Sequence, residues 1–291
     1  MWFLQNLLRP LDAKMQEVSI RVAIDRNSPI GVFDSGIGGL TVLKEIFRVL
    51  PGESTIYLGD TARVPYGIRS PETVMRYSFE NTRFLVSKGI KLLVIACNTA
   101  SSISLTEIKK KMSIPVIGVI EPGANAAVKS TRNEKIGIIG TEATIRSSSY
   151  KKAIRAIDSS AEVFGLPCPL FVPLVEEGWT EGKIAVMVAE KYLKGIRNKG
   201  IDTLVLGCTH YPLLKSVVSE VMGSDIRLID SAVETAKSIK EILKSKGIER
   251  KSKARPLREI YVTDSPERFI KVGERFLEQK IKHIEKIDVG G

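Results

Sequence analysis

Two cysteines occupy equivalent places in two similar stretches of this sequence. Cys97 follows the apolar run 92–96, and Cys208 follows the run 203–207. Continuous apolar runs of this length are typical of buried parallel strands, and each cysteine is followed by polar residues and a helical pattern. Each thiol is therefore expected at a strand-to-helix turn, on the sheet edge where ligands bind and where a helix amino terminus favours the reactive thiolate. Two such thiols suggest paired chemistry.

The chemistry that two thiols could perform is limited by what the rest of the sequence offers. The three cysteines form no CxxC pair and the chain has only two histidines, so a zinc or iron–sulfur site is not predicted. Neutral hydrogen-bonding side chains flank the candidate positions, which suits a zwitterionic or carboxylate-bearing ligand: Ser35, Asn98, Thr99 and Thr209. Without a metal, flavin or Schiff-base lysine, opposed thiols suggest proton removal on one face of a carbon and delivery on the other. The product would be the mirror image of the substrate.

Further charged side chains are candidates for assisting the thiols. His210 lies two residues after Cys208 and could tune that thiol or donate a hydrogen bond to it. Asp34 begins the Gly-rich turn 34–39, whose backbone amides could approach a small anion, although a purely structural turn is the alternative. Glu176 could be a second acidic assistant, and Glu177 competes with it for that role.

Other chemically capable residues are given structural interpretations. Cys168 lies outside the repeated pattern and is expected to be a small buried side chain. His283 is expected to be exposed on a Lys-rich terminal helix. Asp60 is expected to cap a turn.

The elements around these residues alternate regularly between strand and helix. Strands are predicted at 30–33, 55–58 and 115–119, and Ser70 followed by Pro71 predicts the start of a helix. Residues 263–267 are expected to cap a final helix at 268–279, and residues 11–22 form an amphipathic stretch. This alternation predicts parallel sheets with helices on both faces.

The second half of the chain repeats the first. Residues 136–141 resemble 30–35, so that Thr141 matches Ser35, and the cysteine strand recurs at 203. The sequence therefore predicts an α/β fold of two pseudosymmetric domains, each with a mostly parallel sheet flanked by helices and with the active site in the cleft between them. The expected division is an N-terminal extension at 1–27, a first domain at 28–121 plus 231–291, and a second at 122–230, with the crossing near Glu121-Pro122-Gly123.

Composition and charge exclude several classes of protein. No apolar run approaches the roughly 18 residues of a membrane span, and residues 1–11 make a poor signal peptide, so a cytoplasmic, non-membrane protein is expected. The net charge of +11 comes from 44 basic residues interspersed with 33 acidic ones, which is typical of a solvated surface. The basic cluster 244–258 carries no nucleic-acid motif, so a nucleic-acid partner is not favoured.

Four motifs together resemble the glutamate racemase family of bacterial cell-wall synthesis, within the wider aspartate/glutamate racemase superfamily. They are Phe33-Asp34-Ser35-Gly36-Ile37-Gly38-Gly39, Pro65-Tyr66-Gly67, Ala96-Cys97-Asn98-Thr99-Ala100 and Gly207-Cys208-Thr209-His210-Tyr211-Pro212. The resemblance runs from about residue 30 to 269. It implies a reaction without cofactor that interconverts L- and D-glutamate and supplies D-glutamate for peptidoglycan. It also implies a homodimer.

The resemblance further implies roles for individual residues. Cys97, assisted by Asp34, would take the α-proton from D-glutamate. Cys208, assisted by His210 and Glu176, would take it from L-glutamate. The substrate's ammonium and carboxylates would be held by Asp34, Ser35, Tyr66, Gly67, Asn98, Thr99, Thr209 and His210, with Thr141 joining them through the internal repeat. The extension before residue 30 and the basic cluster 244–258 are not explained by catalysis.

Three alternatives remain open at the level of sequence. An aspartate or broad-specificity racemase would use the same scaffold for a substrate one methylene shorter. A two-lobed amino-acid sensor would bind glutamate without exchange of its α-proton. A nucleic-acid-binding protein would show a steeply salt-dependent affinity.

Overall fold

Two parallel sheets carry the two cysteine turns in the computed structural model, which describes residues 25–290. The first sheet has the order β10-β9-β2-β1-β3-β4 and the second has the order β6-β5-β7-β8. The strands are β1 Ile30–Asp34, β2 Thr55–Gly59, β3 Leu92–Ile95, β4 Val116–Gly118, β5 Lys135–Gly140, β6 Glu162–Pro167, β7 Thr203–Gly207, β8 Arg227–Asp230, β9 Arg258–Val262 and β10 Glu285–Lys286. Every pairing among these strands is parallel.

Helices connect the strands. They are α1 Leu40–Val49, α2 Pro71–Ser87, α3 Asn98–Lys111, α4 Ile120–Ser130, α5 Glu142–Arg146, α6 Ser149–Ile157, α7 Phe171–Glu176, α8 Gly182–Arg197, α9 Lys215–Met222, α10 Ser231–Ser245 and α11 Pro266–Leu277. Short 3₁₀ turns occur at Tyr66–Ile68 and Tyr211–Leu214. Among residues 25–290, no helix is long and apolar enough to cross a membrane.

The two sheets repeat the same central arrangement. In the first, β1 lies between β2 and β3; in the second, β5 lies between β6 and β7. The strands β1, β2, β3 and β7 are buried along their whole length, which explains why they are continuous apolar runs in the sequence. The predicted fold class is confirmed, and β9 joins the first sheet beside β2. The assignment of residues to two domains stays a prediction.

Several local predictions differ from the structure. The segment Glu121-Pro122-Gly123 lies inside α4 instead of breaking the chain, because a proline in the first helical turn lacks only an N–H that has no intrahelical partner. Ser70 caps α2 as predicted, accepting a hydrogen bond from the Thr73 amide. The N-cap of α11 is Ser265, within the predicted segment 263–267, but Ser265 makes no capping hydrogen bond and its hydroxyl donates to Asp264 instead. His283 is exposed as expected but follows the end of α11 at Leu277. The amphipathic stretch at 11–22 lies outside the described residues.

A buried lysine fastens the edge of the first sheet that lies opposite the cysteine turns. Lys91 Nζ donates to Glu53 Oε2 at 2.6 Å, to the Arg26 carbonyl at 2.6 Å and to the Ile248 carbonyl at 2.8 Å. Neither side chain of the Lys91–Glu53 ion pair is more than 5% exposed. Glu53 Oε1 accepts from the Arg250 amide, so the pair also anchors the predicted basic cluster.

Removing one partner of this pair should destabilise the fold strongly. We expect Lys91→Met to lower the free energy of unfolding by about 3–5 kcal/mol, because Glu53 is left buried without its cation. Lys109→Met is the matched control, since it breaks an exposed pair with Glu121 and should cost at most about 1 kcal/mol. Urea denaturation of the three proteins measures both values, and equal losses would contradict the assignment of a buried anchor.

Candidate active site

Both cysteines face one cavity of about 150 Å³ at the carboxyl ends of the two sheets. Cys97 follows β3 and caps α3, where its Sγ accepts a hydrogen bond from the Ala100 amide at 3.5 Å. Cys208 follows β7 and precedes the 3₁₀ turn that begins at Tyr211. Each is only 6% exposed. The cavity is smaller than the roughly 300–1,000 Å³ of sites for drug-sized ligands, so it suits a small metabolite.

Most of the predicted site residues line this cavity. They are Ser35, Tyr66, Gly67, Cys97, Asn98, Thr99, Thr141, Cys208, Thr209 and His210. Asp34 and Glu176 lie behind this lining, against the residues that form it. Pro65, from the motif Pro65-Tyr66-Gly67, also lines the cavity. Residues that the sequence did not indicate complete the wall, most of them apolar: Val64, Ile68, Glu142, Pro169, Val172 and Pro173. Among the described residues, no cluster of three or more His, Cys, Asp or Glu is arranged to hold a metal ion.

The Cys97 side of the cavity contains a buried carboxyl group. Asp34 is fully buried; its Oδ2 accepts from the Gly36 amide at 2.9 Å, while its Oδ1 has no hydrogen-bond partner. Burial raises the pKa of Asp34, against the opposing charge of His210 and the amides of the turn. Cys97 Sγ donates to Ser35 Oγ at 3.5 Å. Burial, followed by the negative charge of Asp34, raises the pKa of Cys97 to about 12, so this side chain is a neutral thiol here.

The Cys208 side contains a histidine–carboxylate pair. His210 Nδ1 lies 3.9 Å from Cys208 Sγ, and His210 Nε2 lies 3.1 Å from Glu176 Oε1. Burial would lower the pKa of His210, but its hydrogen bonds with Cys208 and Glu176 outweigh burial and raise it. The same bond lowers the pKa of Glu176. The competing Glu177 is exposed, and thus Glu176 is the carboxylate that reaches the site.

The C-terminal helix supports this pair from behind. The Phe276 ring packs edge-on against the His210 ring with centroids 5.3 Å apart. Arg275 donates to the Glu176 carbonyl at 2.9 Å, and Arg268 lies 3.7 Å from Glu176 Oε2. Residues of α11 therefore hold His210 and Glu176 in place, although both are distant from α11 in the sequence.

The Gly-rich turn after β1 packs tightly against the Cys208 turn. A Cβ at Gly38 would lie 2.5 Å from His210 Nδ1 and closer still to Thr209 Oγ1, and Thr41 Oγ1 donates to the Thr209 carbonyl at 3.0 Å. A Cβ at Gly39 would lie 2.5 Å from the Asp34 Cβ. Close packing therefore accounts for these two glycines, whereas the Gly36 amide is directed at Asp34.

Sequence reasoning missed Thr144, which completes a cluster of three hydroxyl groups. Thr141 Oγ1 lies 2.9 Å from Thr99 Oγ1 and 3.0 Å from Thr144 Oγ1. Thr141 caps α5, and Thr144 is the residue whose amide it accepts from. The Thr-x-x-Thr spacing at a helix start was the signal that could have identified this residue.

Asp60 does more than cap a turn. It accepts hydrogen bonds from the Tyr66 hydroxyl, from Arg63 Nε at 2.8 Å and from Thr263 Oγ1 at 3.0 Å. The Tyr66 hydroxyl also accepts from Asn81 Nδ2 at 3.1 Å. This network holds the hydroxyl of Tyr66, a residue that lines the cavity.

Cys168 lies apart from this chemistry. It is fully buried, its Sγ donates to the Leu166 carbonyl at 3.9 Å, and it does not line the cavity. This position agrees with the structural interpretation made from the sequence.

Comparisons with known proteins identify the family of this chain. A family model described as Asp/Glu/Hydantoin racemase matches residues 30–239. A glutamate racemase from Geobacter metallireducens is 55% identical over 260 residues, which cover 89% of this chain and 96% of that protein. This chain belongs to the glutamate racemase family. Its membership confirms the resemblance inferred from four motifs, and makes the protein an isomerase of the amino-acid racemase class.

Solved structures of the family have the same fold. A glutamate racemase isoform from Bacillus anthracis is 43% identical and superimposes with a TM-score of 0.87, covering 90% of this chain and 97% of that one. The Francisella tularensis enzyme, solved in complex with D-glutamate, is 39% identical with a TM-score of 0.86, covering 91% and 98% of the two chains.

The close packing of the Gly-rich turn against the Cys208 turn leads to a prediction for this racemase. Gly38→Ala should lower kcat/KM by at least about a hundredfold, because the added methyl group pushes the Thr209–His210 turn away from the cavity. Gly52→Ala is the control, since a Cβ there meets nothing within 4 Å. Steady-state kinetics of both variants test the prediction, and an active Gly38→Ala enzyme would contradict it.

The histidine–carboxylate pair generates a second prediction. Glu176→Gln should lower the pKa of His210 by about one unit or more, because the imidazolium loses its negative partner. Since the pKa of His210 is raised on folding, its contribution to stability is fully present below its ordinary pKa and is lost as the pH rises through the raised one. In the variant the contribution is smaller, and its loss is complete at a lower pH.

Imidazole NMR titration measures this shift directly. The chain has only two histidines, and the exposed His283 supplies the comparison signal. Glu177→Gln, which changes the neighbouring exposed residue, should leave the His210 titration where it is in the unmodified protein. An unmoved His210 signal in Glu176→Gln would show that the carboxylate does not set its protonation.

Proposed function

We propose that this protein interconverts L- and D-glutamate by proton transfer at Cα between Cys97 and Cys208. The observation that carries the proposal is that the two thiols follow equivalent strands of two repeated sheets and face one small cavity. A planar carbanion held between them would be open to one thiol on each face. Racemisation requires this access, whereas a binding protein does not.

The Cys97 side and the Cys208 side of the cavity suit opposite directions of the reaction. For L-glutamate, the Cys208 thiolate takes the α-proton and the neutral Cys97 thiol supplies one on the other face. For D-glutamate, Cys97 must first lose its proton, and Asp34, a carboxyl group with a raised pKa, is the nearby acceptor. His210, hydrogen-bonded to Glu176, is the corresponding acid–base group beside Cys208.

The α-proton of an amino acid is a very weak acid, so the cavity must stabilise the developing carbanion. Fixed donors in a water-poor site do this more effectively than water. The buried Asn98 Nδ2 has no partner and can donate to a substrate carboxylate, and the hydroxyl cluster 99, 141 and 144 offers further donors. Asp34 Oδ1, also without a partner, can accept from the substrate ammonium. The half-buried apolar side chains of Val64 and Val172 line the cavity and limit the access of water to it.

Membership of the family supports a proposal for the substrate and for the biological role. The relative in complex with D-glutamate supports glutamate over aspartate, and supply of D-glutamate for peptidoglycan is the corresponding role. A nucleic-acid role finds little support, because Arg250 in the basic cluster donates to the backbone carbonyls of Gly52, Ser252 and Ala254. A homodimer in the cytoplasm stays a prediction.

Solvent exchange at Cα tests the proposal. Proton NMR of L-glutamate with the purified protein in deuterated water should show loss of the α-proton signal, and chiral chromatography of the same sample should show D-glutamate. Cys97→Ala and Cys208→Ala should each abolish racemisation. Cys168→Ala is the matched control and should retain it, since that thiol lies outside the cavity.

Each other outcome has a defined meaning. Racemisation by either active-site variant would overturn the two-thiol assignment. Faster turnover of aspartate than of glutamate would identify the aspartate enzyme. Binding of glutamate without exchange by the unmodified protein would identify a sensor.

A further inference from the structure

One buried tyrosine contacts both cysteine turns without lining the cavity. Tyr150, on α6, is 2% exposed, and its hydroxyl donates to Asn98 Oδ1 at 2.7 Å. Asn98 immediately follows Cys97 and is itself 2% exposed. This bond uses the carbonyl end of the Asn98 amide and leaves its Nδ2 buried without a partner.

The Tyr150 ring fits between two glycines. A Cβ at Gly207, the residue before Cys208, would lie 3.2 Å from Tyr150 Cε2, and a Cβ at Gly123 on α4 would lie 3.2 Å from Tyr150 Cε1. Both contacts would be tight, so the ring fills the space that the two missing side chains leave. Tyr150 is thereby fixed against the strand that carries Cys208 while its hydroxyl reaches the residue after Cys97.

A buried amide donor without an acceptor is destabilising, so the unpaired Asn98 Nδ2 indicates a place where a ligand would bind. The oxygen and the nitrogen of the Asn98 amide have nearly the same shape, but only the nitrogen donates hydrogen bonds. Neighbouring groups therefore decide which way the amide is turned. A phenol hydroxyl that donates to one end defines that end as the carbonyl. The other end must then be the donor, and Asn98 lines the cavity.

We infer that Tyr150 is a positioning residue that orients the Asn98 amide, so that Nδ2 donates to a carboxylate of the substrate. The inference deepens the proposed function and rests on it. Tyr150 touches neither the thiols nor the substrate; it acts through Asn98. Losing the hydroxyl frees the amide to rotate, which weakens substrate binding more than it slows proton transfer.

Steady-state kinetics of Tyr150→Phe test the inference. KM for both enantiomers should rise about tenfold, with kcat changed by less than about threefold, because one neutral hydrogen bond is lost and the thiols stay in place. Tyr261→Phe is the matched control: it removes the hydroxyl of another buried tyrosine, on β9, which accepts from Lys88 and donates to Glu259, and should leave both constants unchanged.

A double-mutant cycle separates positioning from general stability. If Tyr150 acts through Asn98, the pair Tyr150→Phe and Asn98→Ala should have the same KM as Asn98→Ala alone. Additive increases in KM would overturn the inference, and so would a Tyr150→Phe enzyme with an unchanged KM or with a loss confined to kcat.

A measurement on the unmodified protein tests the inference even if Tyr150→Phe folds poorly. The side-chain amide NMR signals of Asn98, assigned by their absence in Asn98→Ala, should shift when D-glutamate is added. Unshifted Asn98 signals, in a protein that racemises glutamate, would overturn the inference and leave the proposed function standing. Absence of racemisation by the unmodified protein would instead count against the proposed function.

Discussion

The site depends on four ionisable side chains that are buried away from the protein surface. Asp34, Cys97, Cys208 and His210 are each no more than 6% exposed. In such surroundings a charge is stable only where a neighbouring group compensates it, so the protonation of Asp34, Cys97 and His210 depends on their neighbours. His210 keeps its proton because Cys208 and Glu176 accept its hydrogen bonds, and Cys97 keeps its proton because burial and Asp34 disfavour a second negative charge. Removing any one of these partners changes the state of the rest.

Glycines, which have no side chain, allow the groups of the site to lie this close together. Gly38 allows the turn after β1 to meet the Cys208 turn, and Gly207 allows a tyrosine ring to lie against the strand before it. A Cβ at Gly67 would lie 2.9 Å from the Thr141 Cβ, so the loop after β2 also meets the second sheet through a glycine. The polar groups that need fixed distances are thus held by backbone contacts, which are stiffer than contacts between flexible side chains.

The sequence predicted the elements well because the signals were local. Strands buried on both faces are continuous apolar runs, and both cysteine turns were predicted where they occur. Contacts between distant residues left no such signal: nothing in the local pattern connects Tyr150 to Asn98. Glu176 and Glu177 could not be separated because adjacent helical residues differ by about 100° in direction, and only the orientation of the helix selects one.

The two halves of the fold repeat, but their chemistry does not. The two cysteines follow equivalent strands, β3 and β7, of two similar sheets. Cys97 nevertheless has the buried carboxyl group of Asp34 near it, whereas Cys208 lies beside the His210 imidazole, which Glu176 stabilises. The two substrates of a racemase differ only in the configuration of one carbon atom. Their remaining groups bind the same asymmetric protein. The two thiols therefore cannot have identical surroundings, and a repeated backbone with different assisting groups is the arrangement that such a substrate pair requires.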